Sequence, residues 1–451
     1  MIRAGRGPAG AAARVTGGTV EARARGGSVV RAARRAVWGV LDQALSSATN
    51  FALSVAVARA VAPAQFGAFS VAFAAFLVAL TIARSIATDP LTIRYSARET
   101  DAWRDATARA TGTSIAFGVV TGAIGLIITL VVGGNIGAAL GPLSVGLPVM
   151  LLQDAWRFAL FAGRRGRDAF LNDLVCAIVL GVAIVAIEVA GVDDVSSLVI
   201  AWVVSGTAGA AFGAWQCRVR PDARVRSWLR EHLDIAPRLA IEGAILSGGQ
   251  QLVLVVIGAV AGLASVASVR AAQVLLNALH VATYGLFLFA VPEGVRLLAR
   301  STTALLSLCV SLAGVLSMMT IAWGALLIAL PDPWGRQLLG DTWMLARPLI
   351  LPVTLMMLGS AIQLSAVVGL RALAAARRSL MTRIVTSGAL FAGGVAGAVF
   401  GGAAGAASGM ALAVLTGSLL WWVQLFRAVR AYQAGGPSVQ AAPADGTQLD
   451  D

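Results

Sequence analysis

Four arginines, Arg59, Arg84, Arg157 and Arg270, fall inside long apolar runs. A cation at the centre of a membrane helix costs ~2.5–3.5 kcal/mol on insertion scales. Three arrangements would relieve that cost. The side chains could snorkel to headgroups. They could pair with Asp42, Asp154 or Glu188. Or they could line a wet cavity at two depths, Arg84 and Arg157 toward one end and Arg59 and Arg270 toward the other. In the last arrangement they would attract an anionic cargo such as a pyrophosphate, because guanidinium groups hold phosphate through two parallel hydrogen bonds.

Acids and amides form a second set. Asp42, Ser46 and Thr49 recur at helical spacing, and Gln43, Ser47 and Asn50 make the neighbouring stripe. Together they give one broad polar face, which lipid would penalise. Such a face looks toward another helix or toward water. Asp42 and Glu242 each begin an apolar run, where an acid complements the helix dipole. Either could also take a proton or a cation during transport. Asp42, Ser46, Asn50, Glu242 and Gln250 are therefore candidates for a cavity wall or coupling site. His280 is a further proton-bearing candidate, and Asp154 and Arg157, three residues apart, could pair on one helix.

No catalytic constellation emerges. Two histidines and three scattered cysteines (Cys176, Cys217, Cys309) offer no metal site and no disulfide framework. No phosphate loop of the GK[ST] type is present, so neither ATP drive nor a bound cofactor is expected.

The elements that would position these residues are membrane spans. The chain has 451 residues, 58% apolar and 13% charged, more apolar than a soluble interior can bury. Twelve apolar runs suggest spans near 38–60, 65–87, 111–133, 143–162, 170–190, 197–216, 239–260, 265–290, 302–330, 347–369, 384–401 and 405–426. All 35 cations are arginine. With the N-terminus inside, nearly all of those outside the spans fall in inner segments, which predicts cytoplasmic termini. They read as topology signals rather than a nucleic-acid surface. The expected organisation is a basic tail (1–37), a six-helix bundle (38–216), a basic linker (217–238), a second six-helix bundle (239–426) and a tail (427–451). Within the linker, Trp228 and Leu229 suggest a short amphipathic helix lying on anionic lipid.

The halves repeat. Leu41–Asn50 and Ile241–Gln250 align acid to acid, serine to serine and amide to amide at an offset of 200. Pro90, Arg94 and Arg98 align with Pro292, Arg296 and Arg300 at an offset of 202. Six spans apart, the copies share one orientation. The expected fold class is an all-α polytopic membrane protein with about twelve helices in two parallel six-helix bundles around a cavity.

The run Asp42–Phe51, then Phe66-Gly67-Ala68-Phe69, Pro90-Leu91, Arg94-Tyr95-Ser96, Gly163-Arg164-Arg165 and Ala169–Asp173 resembles the N-terminal half of polysaccharide-biosynthesis membrane proteins. These are Wzx-like flippases of the multidrug/oligosaccharidyl-lipid/polysaccharide exporter superfamily. The resemblance covers about residues 38–175. It implies a MATE-like fold in the bacterial cytoplasmic membrane that moves a polyprenyl-pyrophosphate-linked saccharide between leaflets, beside membrane lipids and glycan-assembly proteins. It also implies a cationic lumen, for which Arg59, Arg84, Arg157 and Arg270 are the candidates by position. A drug/cation antiporter of the same fold would need an acidic or apolar cavity instead. A membrane polysaccharide polymerase or ligase would need catalytic groups on an outer platform, and the longest outer loop offers only Asp332, Arg336, Asp341 and tryptophan. A scaffolding protein would not need the polar stripe.

Overall fold

The computed structural model describes residues 37–96, 100–243 and 249–435. The basic tail, Arg98, most of the C-terminal tail, and the side chains of Glu242, Gln250 and His280 lie outside the described residues. Among those described, every regular element is a helix.

The N half contains α1 (37–60), α2 (Pro63–Arg94), α3 (Asp101–Val132), α4 (Gly134–Ala162), α5 (Gly166–Val189) and α6 (Val195–Cys217). A linker carries the short α7 (Val225–Glu231). The C half contains α8 (Ala236–Gly243), α9 (Gly249–Ala261), α10 (Leu263–Asn277), α11 (His280–Leu298), α12 (Thr302–Ala329), the short α13 (Asp332–Leu339), α14 (Thr342–Ala372) and α15 (Ala376–Gln433).

Among the described residues the twelve expected spans fall on helices, with three differences. Spans seven and eight are each covered by two shorter helices, α8 with α9 and α10 with α11. Spans eleven and twelve are the two arms of α15, broken where Gly401 and Gly402 leave the helical region. Many helices also outrun their apolar cores: α3 begins ten residues before its expected span. At 1.5 Å per residue, 32 residues reach about 48 Å, well past the ~30 Å hydrocarbon layer.

Local signals set the ends. Thr100 accepts the Trp103 amide at 3.2 Å, Asp194 the Ser197 amide at 2.9 Å and Ser301 the Ala304 amide at 3.0 Å, capping α3, α6 and α12. Pro63 opens α2, and Gly133 closes α3 at φ 59°. The hydrogen bonds from Ser197 hold the Asp194 carboxyl below the usual carboxylate range.

The linker corrects an expectation. Trp228 does not lie on lipid; it is fully buried, and its Nε1 donates to the Ile86 carbonyl at 3.0 Å. Arg109 reaches Glu231 at 2.6 Å, and Arg94 pairs with Asp234. The linker is thus clamped to the N half. Ion pairs and a desolvated indole outcompete the headgroup region for this segment.

The halves meet along α2, which packs on α9 and α10 and, at its far end, on α8. The seam is close because Gly67 has no side chain: a Cβ there would lie 2.0 Å from the Leu263 carbonyl oxygen. The loop bearing α13 closes the same end, where Thr342 donates to the Ala58 carbonyl at 3.3 Å. Asp332 is committed there, accepting from Trp343 at 2.9 Å and Arg347 at 2.7 Å. Overpacking of such a contact costs about 1–3 kcal/mol. Gly67→Val should therefore pry α2 from α10. In a cysteine-free background with Val266→Cys in the buried seam, maleimide labelling should rise several-fold. Gly314→Val, where a methyl group meets nothing, should leave labelling unchanged.

Candidate functional site

Among the described residues a cavity opens between the helices of each half. The N-half cavity, about 280 Å³, is lined by α1, α2, α4, α5 and α6. The C-half cavity, about 370 Å³, is lined by α10, α11, α12, α14 and α15.

The N-half cavity is walled by an ionic network. Arg157 on α4 is nearly buried and bonds Asp42 on α1 through Nε at 2.9 Å and through Nη2. Its Nε also lies 3.2 Å from Asp173 on α5, and its Nη1 lies 3.8 Å from Asp154 one turn earlier. Arg84 on α2 grips Asp154 with two bonds, Nε at 2.9 Å and Nη2 at 2.6 Å. Gln153 donates to Asp173 at 3.1 Å and to Asn172 at 3.0 Å. Phe158 and Phe161 present ring faces to Arg84 and Arg157 at 4.9 and 5.9 Å.

The local sequence explains the placement of Arg84. It opens a five-residue π-helical turn, Arg84–Thr88, in which the Asp89 amide bonds the Arg84 carbonyl. Such turns insert one residue into a helix and re-aim a side chain.

Three carboxylates face two guanidinium groups here, leaving one negative charge in excess. Asp42 is 1% exposed, and its Oδ1 has no hydrogen-bond partner. A buried excess carboxylate is costly unless it binds a proton or a cation.

The C-half cavity has a different charge balance. Arg371 and Arg383 line it, and among the described residues no carboxylate does. Among the described residues neither arginine has an ion-pair partner. Arg371 lies over Phe287 at 4.9 Å and Arg383 over Trp421 at 5.1 Å.

The residues expected from sequence are distributed as follows. Arg84 and Arg157 line the N-half cavity together with Ser46 and Asn50, while Asp42 holds Arg157 from behind. Both arginines take the ion-paired alternative. Arg59 lies outside either cavity, largely exposed and 3.7 Å from Glu188. Arg270 sits on α10 against α2, over Phe73 at 5.0 Å, with a buried Nε that has no partner. Sequence reasoning missed three residues. Asp173 lay in plain view as an acid within an apolar run, a functional signal by default. Arg371 and Arg383 were assigned to an inner loop because the hydropathy window ended too early.

Solved structures with this architecture are MATE-family transporters. An inward-facing multidrug resistance MATE transporter of the MOP superfamily superposes with a TM-score of 0.72 at 13% identity, covering 86% of this chain and 96% of that one. An outward-facing one gives 0.54 at 13% identity, covering 89% and 95%. A MOP superfamily transporter from Pyrococcus furiosus, described as having a binding pocket of reverse polarity, gives 0.53 at 13% identity, covering 89% and 95%. No protein-family model matches the sequence, and no curated protein matches it. The chain has the MATE fold: a multi-pass membrane protein made of two repeated helical bundles.

Breaking a buried pair by removing one partner costs about 3–5 kcal/mol. Arg157→Ala would strand Asp42 and Asp173 and should lower the unfolding temperature of the detergent-purified protein sharply. Arg59→Ala breaks an exposed pair worth at most about 1 kcal/mol and should leave that temperature nearly unchanged.

Proposed function

We propose that this chain is a secondary transporter, not an enzyme, which moves a lipid-linked oligosaccharide or polysaccharide precursor across the bacterial cytoplasmic membrane by alternating access. The observation that carries the reading is the different charge balance of the two cavities: arginines paired with carboxylates in one, and two arginines with no ion-pair partner among the described residues in the other. A cavity whose acids outnumber its bases once Asp42 behind it is included suits a driving proton or cation. A cavity with two unpaired arginines suits an anionic cargo such as a polyprenyl pyrophosphate. The resemblance to Wzx-like flippases over residues 38–175 supports the same cargo class.

Both termini are read as cytoplasmic, from the arginine asymmetry. The higher TM-score with the inward-facing neighbour supports assigning this conformation to the inward-open state. Arg84, Arg157 and Arg270 remain candidates for guiding the cargo, and Ser46 and Asn50 for the wall. Arg59, turned to Glu188, is the weakest of the set. Asp42 and Asp173 are the candidates for coupling. Membrane lipids and glycan-assembly proteins are the proposed partners.

One observation favours a second reading. The excess carboxylate of the network behind the N-half cavity would also attract a cationic drug, and the multidrug neighbours fit the fold equally well. Proteoliposomes separate the two. Flux of a fluorescent polyprenyl-diphosphate saccharide should depend on an imposed proton or sodium gradient, and Asp42→Asn should flatten that dependence. Arg270→Ala should lower flux while the protein keeps its unfolding temperature. Gradient-driven efflux of ethidium without saccharide flux would select the antiporter. Saccharide flux that is unchanged when both gradients are collapsed would remove the coupling.

A further inference from the structure

We propose that the C-half cavity is a binding site for a diphosphate-type anion, with Arg371 and Arg383 gripping the phosphates and the cavity wall behind them receiving sugar hydroxyls. This rests on the flippase reading above and gives its cargo a place.

The charge is built in. Arg371 is in the last turn of α14 and Arg383 in the second turn of α15. Between them the chain reverses through Ala374, in the left-handed region at φ 52°. That reversal brings both guanidinium groups to one cavity wall. Both line one cavity, with no carboxylate between them among the described residues, so their like charges repel. An anion placed between them relieves the repulsion, and the guanidinium fork matches phosphate oxygens. Phe287 and Trp421 support the two cations through their ring faces. An aromatic face orients a cation without neutralising it, so the charge stays available. The N-half arginines differ on this point, since carboxylates already occupy their forks.

The wall continues with sugar-compatible chemistry. Gln363 lies eight residues before Arg371, about 12 Å along α14. Among the described residues it has no hydrogen-bond partner, so its amide can both donate and accept. Ser360, Thr320 and Thr386 donate their hydroxyls to backbone carbonyls of their own helices, at 3.0, 2.8 and 3.0 Å. Each oxygen keeps lone pairs to accept from a sugar O–H. The cavity volume, about 370 Å³, is in the range of small-molecule sites.

Two simpler roles compete. The arginines could only anchor helix ends at headgroups, or they could hold an ordinary anionic phospholipid. The test uses the full-length protein in nanodiscs, first of phosphatidylcholine alone, with radiolabelled farnesyl diphosphate as the probe. Arg371→Gln and Arg383→Gln should each weaken binding about tenfold, the loss of one charge-assisted interaction, and Lys at either position should restore part of it. Gln363→Ala should leave farnesyl diphosphate binding intact and weaken a saccharide-bearing diphosphate. Competition by inorganic pyrophosphate would identify a free-anion subsite. Competition by added phosphatidylglycerol without competition by pyrophosphate would identify a lipid headgroup. The first result upholds the diphosphate site; the second overturns it in favour of an ordinary phospholipid.

Farnesol competing as well as farnesyl diphosphate would overturn the proposal. So would wild-type affinity in the double Gln variant at an unchanged unfolding temperature. If the double variant binds normally and Arg270→Ala does not, the anion sits at the seam: the site assignment falls and the flippase reading stands. If the wild type binds tetraphenylphosphonium and no diphosphate, both fall.

Discussion

The constraint on which the N half is built is that a charge placed in oil must be matched on the spot. Arg157 can sit almost buried only because Asp42, Asp154 and Asp173 reach it from α1, α4 and α5. Arg84 then brings in α2 through Asp154. Four helices are thereby fixed in rotation and depth, since turning any one by a residue would strand a charge. Desolvating an ion costs several kcal/mol even after relaxation. The network is therefore weak evidence for stability and strong evidence for register. Its odd count matters more. Three acids against two bases leave an excess carboxylate that a proton or small cation would neutralise.

The C half meets the same constraint differently. Its spanning helices are held by close backbone approach, with no buried ion pair between them among the described residues. At the hairpin of α15, a Cβ on Gly397 would lie 2.1 Å from the Gly405 carbonyl oxygen, and one on Gly405 equally close to the Gly397 carbonyl. In a bilayer, where lipid is as apolar as leucine, such contact is what drives helix association. Packing of this kind uses no charge, which leaves Arg371 and Arg383 uncommitted. The two halves therefore differ: in one the ionisable groups form a network, and in the other two cations have no ion-pair partner among the described residues.

What could be read from sequence follows from the same physics. Hydropathy located the apolar runs because the bilayer fixes their minimum length; eight helices among the described residues are long and apolar enough to cross it, and Gly401–Gly402 marked the hairpin within the longest because helix cannot continue through it. Helix ends were less legible. Helices continue into the headgroup layer, where polar residues are cheap, so a hydropathy window stops short of Arg371 and Arg383. The partner of a buried arginine was legible only as a set of options, since composition does not say which way a helix faces. Asp154 and Glu188 were among those options, and Asp173 was not. The amphipathic look of the linker misled for a similar reason. Trp228 would suit an interface equally well on lipid or on α2, and only the position of the Ile86 carbonyl decides between them.

An alternating device needs two packings of similar energy, and the seam between the halves has the features of one. Its closest point is backbone against backbone at Gly67 and Leu263, beside an apolar cluster shared by Phe66, Phe69, Val266 and Val269, a contact with no directional bond to break. The linker is fastened to the N half alone, through Trp228, Arg94 and Arg109, so it leaves the seam free to move. Arg270 is the exception within this quiet surface. It lies on the C-half side of the seam against the Phe73 ring of the N half, with no carboxylate answering it among the described residues. Since Phe73 also lines the N-half cavity, separation of the halves would hydrate Arg270 and empty the ring face together. On the transport reading, this single cation is better solvated when the seam opens and poorer when it shuts. An anion entering between the halves would reverse that preference, so the free energy of cargo binding would act directly on the closing motion.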